Sequence, residues 1–464
     1  MRTIHKNLRK VMLIYFGLFC MLILFFIKFM IWDRYDIIAN PYNPRVGATS
    51  VNVIRGEIRD RKGKILATNR IEGEKIVREY PFGPDFVHVL GYGNKMRTGI
   101  EAQQHFILTS SREPWYIKLQ HLIFQEPIQG DHIYLTLDAD IQKKANQLLK
   151  GKKGAIVIME PLTGKILSMV SYPNFNPHDL EDNWEILSQD SKNSPLLNRA
   201  TQGLYPPGSI FKLITAAGAI EQGWAESFQY DCQGEAIFNH VRLQCYGGKA
   251  HGKVDIQKAL QLSCNTAFAE MGILMGGDAL KIMAEKMLFN YPINSKVAYN
   301  SSQFTINKDS LAEDISKTAI GQGKTLVTPF QMALMVSAIA NQGVLMKPYM
   351  VDRVENSFGK IKDKTIPSTS FTMISPELAT KLGEMMVEVV EVGTGTNAQI
   401  RGTTVAGKTG TAENENDQPH AWFVGFAPAK NPQVSIVVVI ENAGIGGQVA
   451  APIARELLKD IIER

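Results

Sequence analysis

The chain has 464 residues, a formal net charge of +5 at pH 7 and 45% hydrophobic residues. This length allows two or three domains with a sizeable core. The basic residues form no long run and do not alternate with aromatic residues, which argues against nucleic acid as a partner.

An apolar segment near the N-terminus predicts a membrane anchor. Val11 to Ile27 is almost entirely apolar, and with Lys28 snorkelling to the interface it extends to Trp32, which is long enough to cross a bilayer. Four cations precede it: Arg2, Lys6, Arg9 and Lys10. This bias predicts a cytoplasmic tail at residues 1–10, an anchor at residues 11–32 and an extracytoplasmic remainder. A cleaved signal peptide is the alternative, but the apolar region exceeds its usual length of about 7–15 residues.

Residues 33–150 are predicted to form a small, mostly β pedestal or dimerisation-like domain. Short apolar runs alternate with turns, and Ile54 to Thr68 is typical of a hairpin. This region has no cluster of nucleophilic residues, so we expect it to support or dock a partner. Apolar residues at helical spacing from Asp138 to Leu149 predict a helix that leads into the next domain.

Residues 151–464 are predicted to form the catalytic domain. Ala155–Met159 and Ile166–Val170 flank a turn and predict a β-hairpin. Three more strands are predicted at the far end, around 404–411, 422–426 and 434–440, before a helix from about Ala451 to Ile462. The residues between these groups are mostly helical, and Thr328 is a predicted helix cap with proline after it. The expected fold is α+β or α/β, an antiparallel sheet flanked by helices.

Ser209 and Lys212 form the first of three motifs with chemical meaning. A serine hydroxyl is a poor nucleophile at neutral pH, so it needs a proton acceptor within hydrogen-bond reach. Tyr205-Pro206-Pro207-Gly208 precedes a predicted helix that begins near Ser209. Residues three apart on a helix share a face, so Lys212 can serve as the base if burial or a neighbouring charge such as Lys408 lowers its pKa.

Two further motifs follow in the order expected for one active site. Ser263 and Asn265 lie two apart in a predicted extended or turn segment and would relay a proton and hold a substrate amide. Lys408-Thr409-Gly410 reads as an edge strand, on which Lys408 and Thr409 bind a carboxylate and Gly410 allows close approach of a ligand backbone. Each motif alone is weak, but the ordered set is the signature of penicillin-binding proteins and class A β-lactamases.

The sequence resembles the class B penicillin-binding proteins, which are monofunctional peptidoglycan transpeptidases. The resemblance covers nearly the whole chain after the first helix. Further runs resemble those of the family: Arg55 to Gly63, Gly99-Ile100-Glu101, Asn198-Arg199-Ala200, Gly321-Gln322-Gly323, Thr328-Pro329-Phe330-Gln331 and Trp422-Phe423-Val424-Gly425. Cys264, between Ser263 and Asn265, departs from the family pattern.

The resemblance implies a serine acyl-enzyme mechanism that cross-links peptidoglycan stem peptides and is inhibited by β-lactams. Ser209 would be the nucleophile, Lys212 the base and Ser263 the proton shuttle. Asn265 would hold the peptide amide. The terminal carboxylate would bind Lys408, Thr409 and Thr411, and the oxyanion would bind the backbone N–H groups of Ser209 and Thr411. It further implies a glycosyltransferase partner of the SEDS type and no cofactor for the chemistry.

Other functions remain open from the sequence. A D,D-carboxypeptidase or a β-lactamase would share the three motifs, although a β-lactamase is typically shorter and lacks a pedestal. A β-lactam-sensing receptor is a second alternative, but such receptors have several membrane spans. A non-catalytic scaffold is a third, against which the intact set of Ser209, Lys212, Asn265 and Lys408 argues.

Three of the four cysteines and a histidine fall in one window: Cys232, Cys245, His251 and Cys264. One interpretation is a Cys232–Cys245 disulfide, plausible in an exported domain, with Cys264 as a buried thiol. The favoured interpretation is a structural zinc site with three cysteine ligands and one histidine ligand, because zinc would use all four residues. The family resemblance points the same way, because some elongation-type relatives carry a metal at positions similar to these.

Overall fold

The computed structural model describes residues 2–29, 53–73, 75–93, 97–124, 126–293, 295–414 and 418–464. The predicted end of the anchor at Trp32 and the predicted start of the pedestal at residue 33 lie outside the described residues. The described part has mixed α and β structure, as the sequence predicts.

Helix α1 spans Arg2–Lys28. Its apolar side chains are mostly exposed, which is unfavourable in water because hydrocarbon favours an apolar environment. Within the described residues, Asn7–Lys28 is the one helix long and apolar enough to cross a membrane. This fits a single-pass anchor.

The remaining elements follow in chain order. The α-helices are α2 (Val87–Leu90), α3 (Gly99–Gln103), α4 (His105–Leu108), α5 (Trp115–Phe124), α6 (Ala139–Leu149), α7 (Trp184–Gln189), α8 (Lys212–Glu221), α9 (Ile256–Gln261), α10 (Asn265–Lys286), α11 (Ala312–Ala319), α12 (Pro329–Ala340), α13 (Pro376–Glu391) and α14 (Gly446–Ile462). The strands are β1 (Val53–Ile54), β2 (Ile58–Arg59), β3 (Ile65–Glu72), β4 (Lys75–Glu79), β5 (Ile128–Gln129), β6 (His132–Leu135), β7 (Gly154–Glu160), β8 (Lys165–Tyr172), β9 (Tyr230–Cys232), β10 (Glu235–Phe238), β11 (Val241–Gln244), β12 (Gly252–Val254), β13 (Val344–Met346), β14 (Val351–Glu355), β15 (Ile361–Lys364), β16 (Thr369–Thr372), β17 (Ala406–Ala412), β18 (His420–Ala427) and β19 (Val434–Ile440).

A six-stranded sheet in the order β15-β14-β6-β2-β3-β4 includes four strands of the predicted pedestal, β2, β3, β4 and β6. Strands β2 and β3 pair antiparallel and form the predicted hairpin. Its turn is held by Asp60, whose Oδ1 accepts hydrogen bonds from the backbone N–H of Lys62 and Lys64 at 2.8 Å each. Strands β14 and β15 come from beyond residue 150, so the sheet draws on both parts of the chain. The division of the domains at residue 150 stays a prediction.

Two of the runs that resemble the family meet inside the pedestal. Arg55 Nε donates to Glu101 Oε2 at 2.5 Å, and Arg78 Nε donates to Glu101 Oε1 at 2.8 Å. The Glu101 side chain is fully buried. Burial raises the pKa of Glu101, but the charges of Arg78 and Arg55 outweigh it and hold the pKa below its usual value. These runs therefore fix α3 and β4 to the segment before β2, which is a structural role.

The catalytic part is built on a five-stranded antiparallel sheet in the order β17-β18-β19-β7-β8. The sequence predicted this sheet from both ends of the chain. The central strand β19 is buried along its whole length because its alternate side chains enter two different cores, one with α12 and one with α14. A strand that is covered on both faces needs apolar side chains at consecutive positions, which explains the nearly continuous apolar sequence of β19.

The observed first residues of α14 and α12 can be compared with the predicted ones. Helix α14 begins at Gly446, earlier than the predicted Ala451, and its Pro452 lies inside the first turns. Thr328 Oγ1 accepts the backbone N–H of Gln331 at 3.2 Å, with Pro329 at the first helical position, as predicted. In the described contacts the Gln331 side chain does not accept from the N–H of Thr328, which donates to Ser302 Oγ at 3.1 Å. Its Oε1 accepts from the N–H of Ser302 at 3.3 Å instead.

Candidate active site

The segment that leads to Ser209 is rigid. The backbone of Tyr205 pairs with that of Val327 through hydrogen bonds of 2.9 and 2.8 Å, and two prolines with fixed φ angles follow. Gly208 has φ 55°, and a Cβ at this position would lie 2.6 Å from the carbonyl oxygen of Thr411. Only glycine fits both conditions. A 3-10 helix, Gly208–Phe211, then runs directly into α8 and places Ser209 one turn before Lys212.

Lys212 is fully buried and reaches the second motif. Its Nζ donates to Ser263 O at 2.8 Å, to Ser263 Oγ at 3.2 Å and to Asn265 Oδ1 at 2.6 Å. In the part of the chain that the structure describes, Ser209 Oγ makes no hydrogen bond. The lysine is therefore fixed by the second motif, and the Ser209 hydroxyl keeps its hydrogen-bonding capacity for a substrate.

The second motif combines a strained turn with a helix start. Ser263 has φ 54°, which is uncommon for a residue other than glycine and is found where the surroundings impose it. Asn265 is the first residue of α10 rather than part of an extended segment. Its Nδ2 donates to the backbone oxygen of Gln244 at 2.7 Å. The Asn265 amide is thus held at both ends, by Lys212 and by Gln244.

Lys408 also reaches Ser263. It lies on β17, the edge strand that the sequence predicted, and its fully buried side chain donates from Nζ to Ser263 Oγ at 3.1 Å and to Thr409 O at 2.9 Å. The Ser263 oxygen thus accepts from two lysine nitrogens and retains its own hydrogen to donate. This is the geometry of a hydroxyl that can pass a proton between neighbours.

Thr409 and Thr411 lie on the face of β17 opposite Lys408, because side chains alternate along a strand. Thr409 Oγ1 lies 2.7 Å from Thr394 Oγ1, and Thr411 Oγ1 accepts from the N–H of Gly446 at 3.4 Å. A Cβ at Gly410 would lie 2.9 Å from both Ile210 Cγ2 and Trp422 Cβ. The small size of Gly410 thus allows β17 to pack against the Ser209 segment. Close approach of a ligand backbone there stays a prediction.

Burial sets the protonation of both lysines. It lowers the pKa of Lys212 to about 8, although Cys264 and Cys245 act in the opposite direction. It also lowers the pKa of Lys408 well below its ordinary value, and the charge of Lys212 adds to this. The sequence left two possible causes for a lowered pKa of Lys212, namely burial and the charge of Lys408. In the structure the cause is burial, because an ammonium group loses its hydration in the core.

The cysteine and histidine residues of the predicted metal site come together next to the second motif, to which Cys264 belongs. Cys232 Sγ lies 3.6 Å from Cys245 Sγ and 3.5 Å from His251 Nδ1, and Cys245 Sγ lies 3.7 Å from Cys264 Sγ. All four ligand atoms lie within 4.8 Å of one another. The three cysteines are buried free thiols, since a disulfide requires about 2.0 Å between sulfurs.

Two polar contacts of the site were not predicted from the sequence. The backbone oxygen of Gln244 has no sequence signal, because any residue carries a carbonyl. Glu441, just after β19, accepts at Oε1 from the Tyr205 hydroxyl at 2.8 Å and from Arg199 Nε at 2.8 Å. Its nearest signal was the run Asn198-Arg199-Ala200, whose position before Ser209 was noted without a role.

Comparison with known proteins agrees with this geometry. Residues 154–459 match the family model for the penicillin binding protein transpeptidase domain. The chain is 33% identical over 452 residues to the peptidoglycan D,D-transpeptidase PbpA of Mycolicibacterium smegmatis, covering 90% of this chain and 91% of the relative. It is 30% identical over 443 residues to the peptidoglycan D,D-transpeptidase MrdA of Acinetobacter baumannii, covering 82% of this chain and 65% of the relative.

Solved structures show the same fold. The imipenem acyl-enzyme complex of penicillin-binding protein A from M. tuberculosis has a TM-score of 0.83 and 31% identity, covering 89% of this chain and 99% of that one. The D,D-transpeptidase domain of a peptidoglycan glycosyltransferase from Eggerthella lenta has a TM-score of 0.81 and 33% identity, covering 89% and 99%. With its three motifs meeting in one site, the chain belongs to the penicillin-binding protein family, as a class B peptidoglycan D,D-transpeptidase.

Proposed function

We propose that Ser209 is the nucleophile of a transpeptidase that cross-links peptidoglycan stem peptides and that β-lactams acylate the same residue. The observation that carries this is the convergence of Ser263, Asn265 and Lys408 around Lys212, which lies one helical turn after Ser209. Penicillin-binding protein A from M. tuberculosis, to which this chain is similar, forms acyl-enzyme complexes with imipenem and with penicillin G, and this similarity supports the proposal. The chemistry of this family needs no cofactor.

In the proposed acylation step, Ser209 Oγ attacks the carbonyl of the penultimate D-Ala, and its proton passes to neutral Lys212. Backbone N–H groups of Ser209 and Thr411 bind the developing oxyanion. The peptide C–N bond then breaks, and the leaving D-Ala takes a proton through Ser263. In the second step, an amine of a neighbouring stem attacks the ester carbonyl and forms the new C–N bond. The bond between the carbonyl carbon and Ser209 Oγ breaks, and the proton lost by the amine returns to Ser209 Oγ.

The binding roles follow from the same arrangement. Asn265, held by Lys212 and Gln244, is positioned to contact a peptide amide. Thr409 and Thr411 would present hydroxyl groups to the terminal carboxylate, and a positive charge on Lys408 would favour an anion nearby. Gly410 contributes backbone groups on the edge strand, where an extended peptide can add as a further strand.

Labelling with a fluorescent penicillin, followed by mass-spectrometric mapping of the labelled peptide, tests the proposal. We expect one label per chain, on Ser209. A transpeptidase given stem pentapeptides and an acceptor amine yields cross-linked product, whereas a D,D-carboxypeptidase yields only hydrolysed tetrapeptide. A β-lactam-sensing receptor would be labelled but would release no D-Ala.

We also propose that Cys232, Cys245, His251 and Cys264 bind a structural zinc ion. Zn–S bonds of about 2.3 Å in a tetrahedron place sulfurs about 3.8 Å apart, which agrees with the sulfur separations of 3.6 and 3.7 Å. Three cysteine sulfurs and one histidine nitrogen form a donor set that zinc prefers in closed structural sites. Because Cys264 lies between Ser263 and Asn265, a zinc ion bound to Cys264 would fix the backbone of the second motif.

Removing the metal should therefore destabilise the protein and slow acylation. We expect about one zinc per chain by elemental analysis, a lower melting temperature after chelation and recovery when zinc is restored. Cys232→Ser, which lies outside the three motifs, should lose the metal, whereas Ser209→Ala should retain it. Metal-free protein with an unchanged melting temperature and a mapped Cys232–Cys245 disulfide would contradict the zinc proposal.

For localisation, we propose that α1 anchors the chain with its N-terminus in the cytoplasm and the pedestal and transpeptidase domains outside. The cations before α1 support this orientation. Protease added to intact spheroplasts should then digest residues 33–464.

For partners, we propose a SEDS-type glycosyltransferase that contacts α1 and the pedestal, as the family resemblance implies. Co-purification of the two proteins from membranes tests this.

A further inference from the structure

The Tyr205 side chain joins the Ser209 segment to the transpeptidase sheet. Its hydroxyl donates to Glu441 Oε1 at 2.8 Å, and its ring makes edge contacts with His420 and Trp422, with centroids 5.6 and 6.0 Å apart. Burial, followed by the charge of Glu441, raises the pKa of Tyr205 well above its ordinary value. The hydroxyl therefore stays protonated and remains a donor to the carboxylate.

Arg199 fixes the carboxylate that receives this hydrogen bond. Its side chain is almost fully buried and donates from Nε to Glu441 Oε1 at 2.8 Å. Its two remaining nitrogens donate to the backbone oxygens of Ser194 at 3.0 Å and Asn193 at 2.7 Å. A guanidinium held at three nitrogens has little freedom, so it fixes the Glu441 oxygen in one place.

The segment between Tyr205 and Ser209 can transmit this position to the nucleophile. Pro206 and Pro207 have fixed φ angles, and the Pro206 oxygen accepts from Trp422 Nε1 at 3.1 Å. Gly208 N donates to Gly321 O at 2.9 Å. A displacement of Tyr205 is therefore not absorbed by flexible residues before Ser209.

We propose that Tyr205, Glu441 and Arg199 form a positioning relay that fixes Ser209 for attack. None of the three contacts Lys212, Ser263 or Lys408 in the described hydrogen bonds and ion pairs, so the relay acts through backbone geometry rather than on the base. The proposal rests on the assignment of Ser209 as the nucleophile. The proposal also gives Arg199, in the run Asn198-Arg199-Ala200, a role in positioning Ser209 through Glu441 and Tyr205.

The test is the acylation kinetics of the full-length Tyr205→Phe variant with a fluorescent penicillin. Loss of the hydroxyl should reduce the first-order acylation rate constant by about tenfold, since small misplacements of a reacting group have large effects on rate. The dissociation constant of the non-covalent complex should stay within about twofold, because the binding residues are intact. The label should still map to Ser209, which separates this result from a failure of the nucleophile assignment.

The matched control is Tyr80→Phe, which removes a buried hydroxyl that donates to Glu101 Oε1 at 3.4 Å and accepts from the N–H of Gly93 at 2.8 Å, outside the transpeptidase sheet. It should acylate at the parent rate with a similar loss of melting temperature. An equal slowing in both variants would show general loosening and overturn the relay, as would an unchanged rate in Tyr205→Phe.

A double variant tests whether Tyr205 acts through Glu441. Glu441→Gln should also slow acylation, but adding it to Tyr205→Phe should cause no further slowing, because both changes disturb the same contact. The melting temperature should nevertheless fall further in the double variant, since Arg199 loses its counter-charge. Additive effects on the rate constant would refute the relay.

Discussion

Replacing Ser209 with alanine should abolish covalent labelling by penicillin, with a loss of at least about 10³-fold in the acylation rate. The substitution removes the oxygen that forms the ester, and no neighbouring base can compensate for it. Ser209 makes no side-chain hydrogen bond within the described residues, so the fold should be unaffected. The measurements are gel fluorescence after incubation with a fluorescent penicillin and the melting temperature of the same sample.

Ser263→Ala is the informative companion variant, because Ser263 Oγ is the hydroxyl that both active-site lysines contact. If Ser263 only relays a proton, this variant should still be labelled on Ser209, at a reduced rate. Stoichiometric labelling of Ser209→Ala, with the label mapped to Ser263, would reverse the two roles.

Replacing Lys212 with arginine should lower the acylation rate by about 10²–10⁴-fold, the usual contribution of a general base. Burial lowers the pKa of Lys212 to about 8, so about a tenth of the parent enzyme carries a neutral lysine at pH 7. In the proposed mechanism the neutral form is the base, so the parent's acylation rate should rise with pH through about 8 and then level off. A guanidinium remains protonated throughout this range, so the variant should lose this rise.

Lys258→Arg is the matched control, because Lys258 is exposed on α9, outside the site. It should show the parent's rate and pH profile. A melting temperature measured for each variant separates loss of the base from misfolding around the larger side chain. If Lys212→Arg acylates near the parent rate and keeps the rise near pH 8, another group is the base.

The local patterns in the sequence predicted the elements of the transpeptidase sheet well. Strands β7, β8, β18 and β19 have apolar runs bounded by turns, and their burial on both faces requires such runs. The starts of α6 and α12 were also predictable, because Asp138 and Thr328 cap them through contacts within three residues. The start of α14 was misplaced, since a proline such as Pro452 resembles a first-turn residue.

The candidate site was identified from the sequence as three motifs, but not as a network. Residue types and order were sufficient to select Ser209, Lys212, Ser263, Asn265 and Lys408. The partners of Lys212 were not predictable, because the sequence placed it near Ser209 by helical spacing, whereas its hydrogen bonds go to residues 51 and 53 positions away. The pKa of Lys212 depends on burial in the core, which no local pattern reveals.

The sequence by itself determined the family, an N-terminal helix long and apolar enough to cross a membrane, and the chemical groups of the candidate active site, because these depend on residue identity and on spacing along the chain. Only the tertiary structure decided which groups meet. Tyr205 and Glu441 are 236 residues apart in sequence, and Cys232 and Cys264 come together only when β9 and the start of α10 pack side by side. Such contacts arise from packing of whole layers, so they follow from the fold and not from any segment of it.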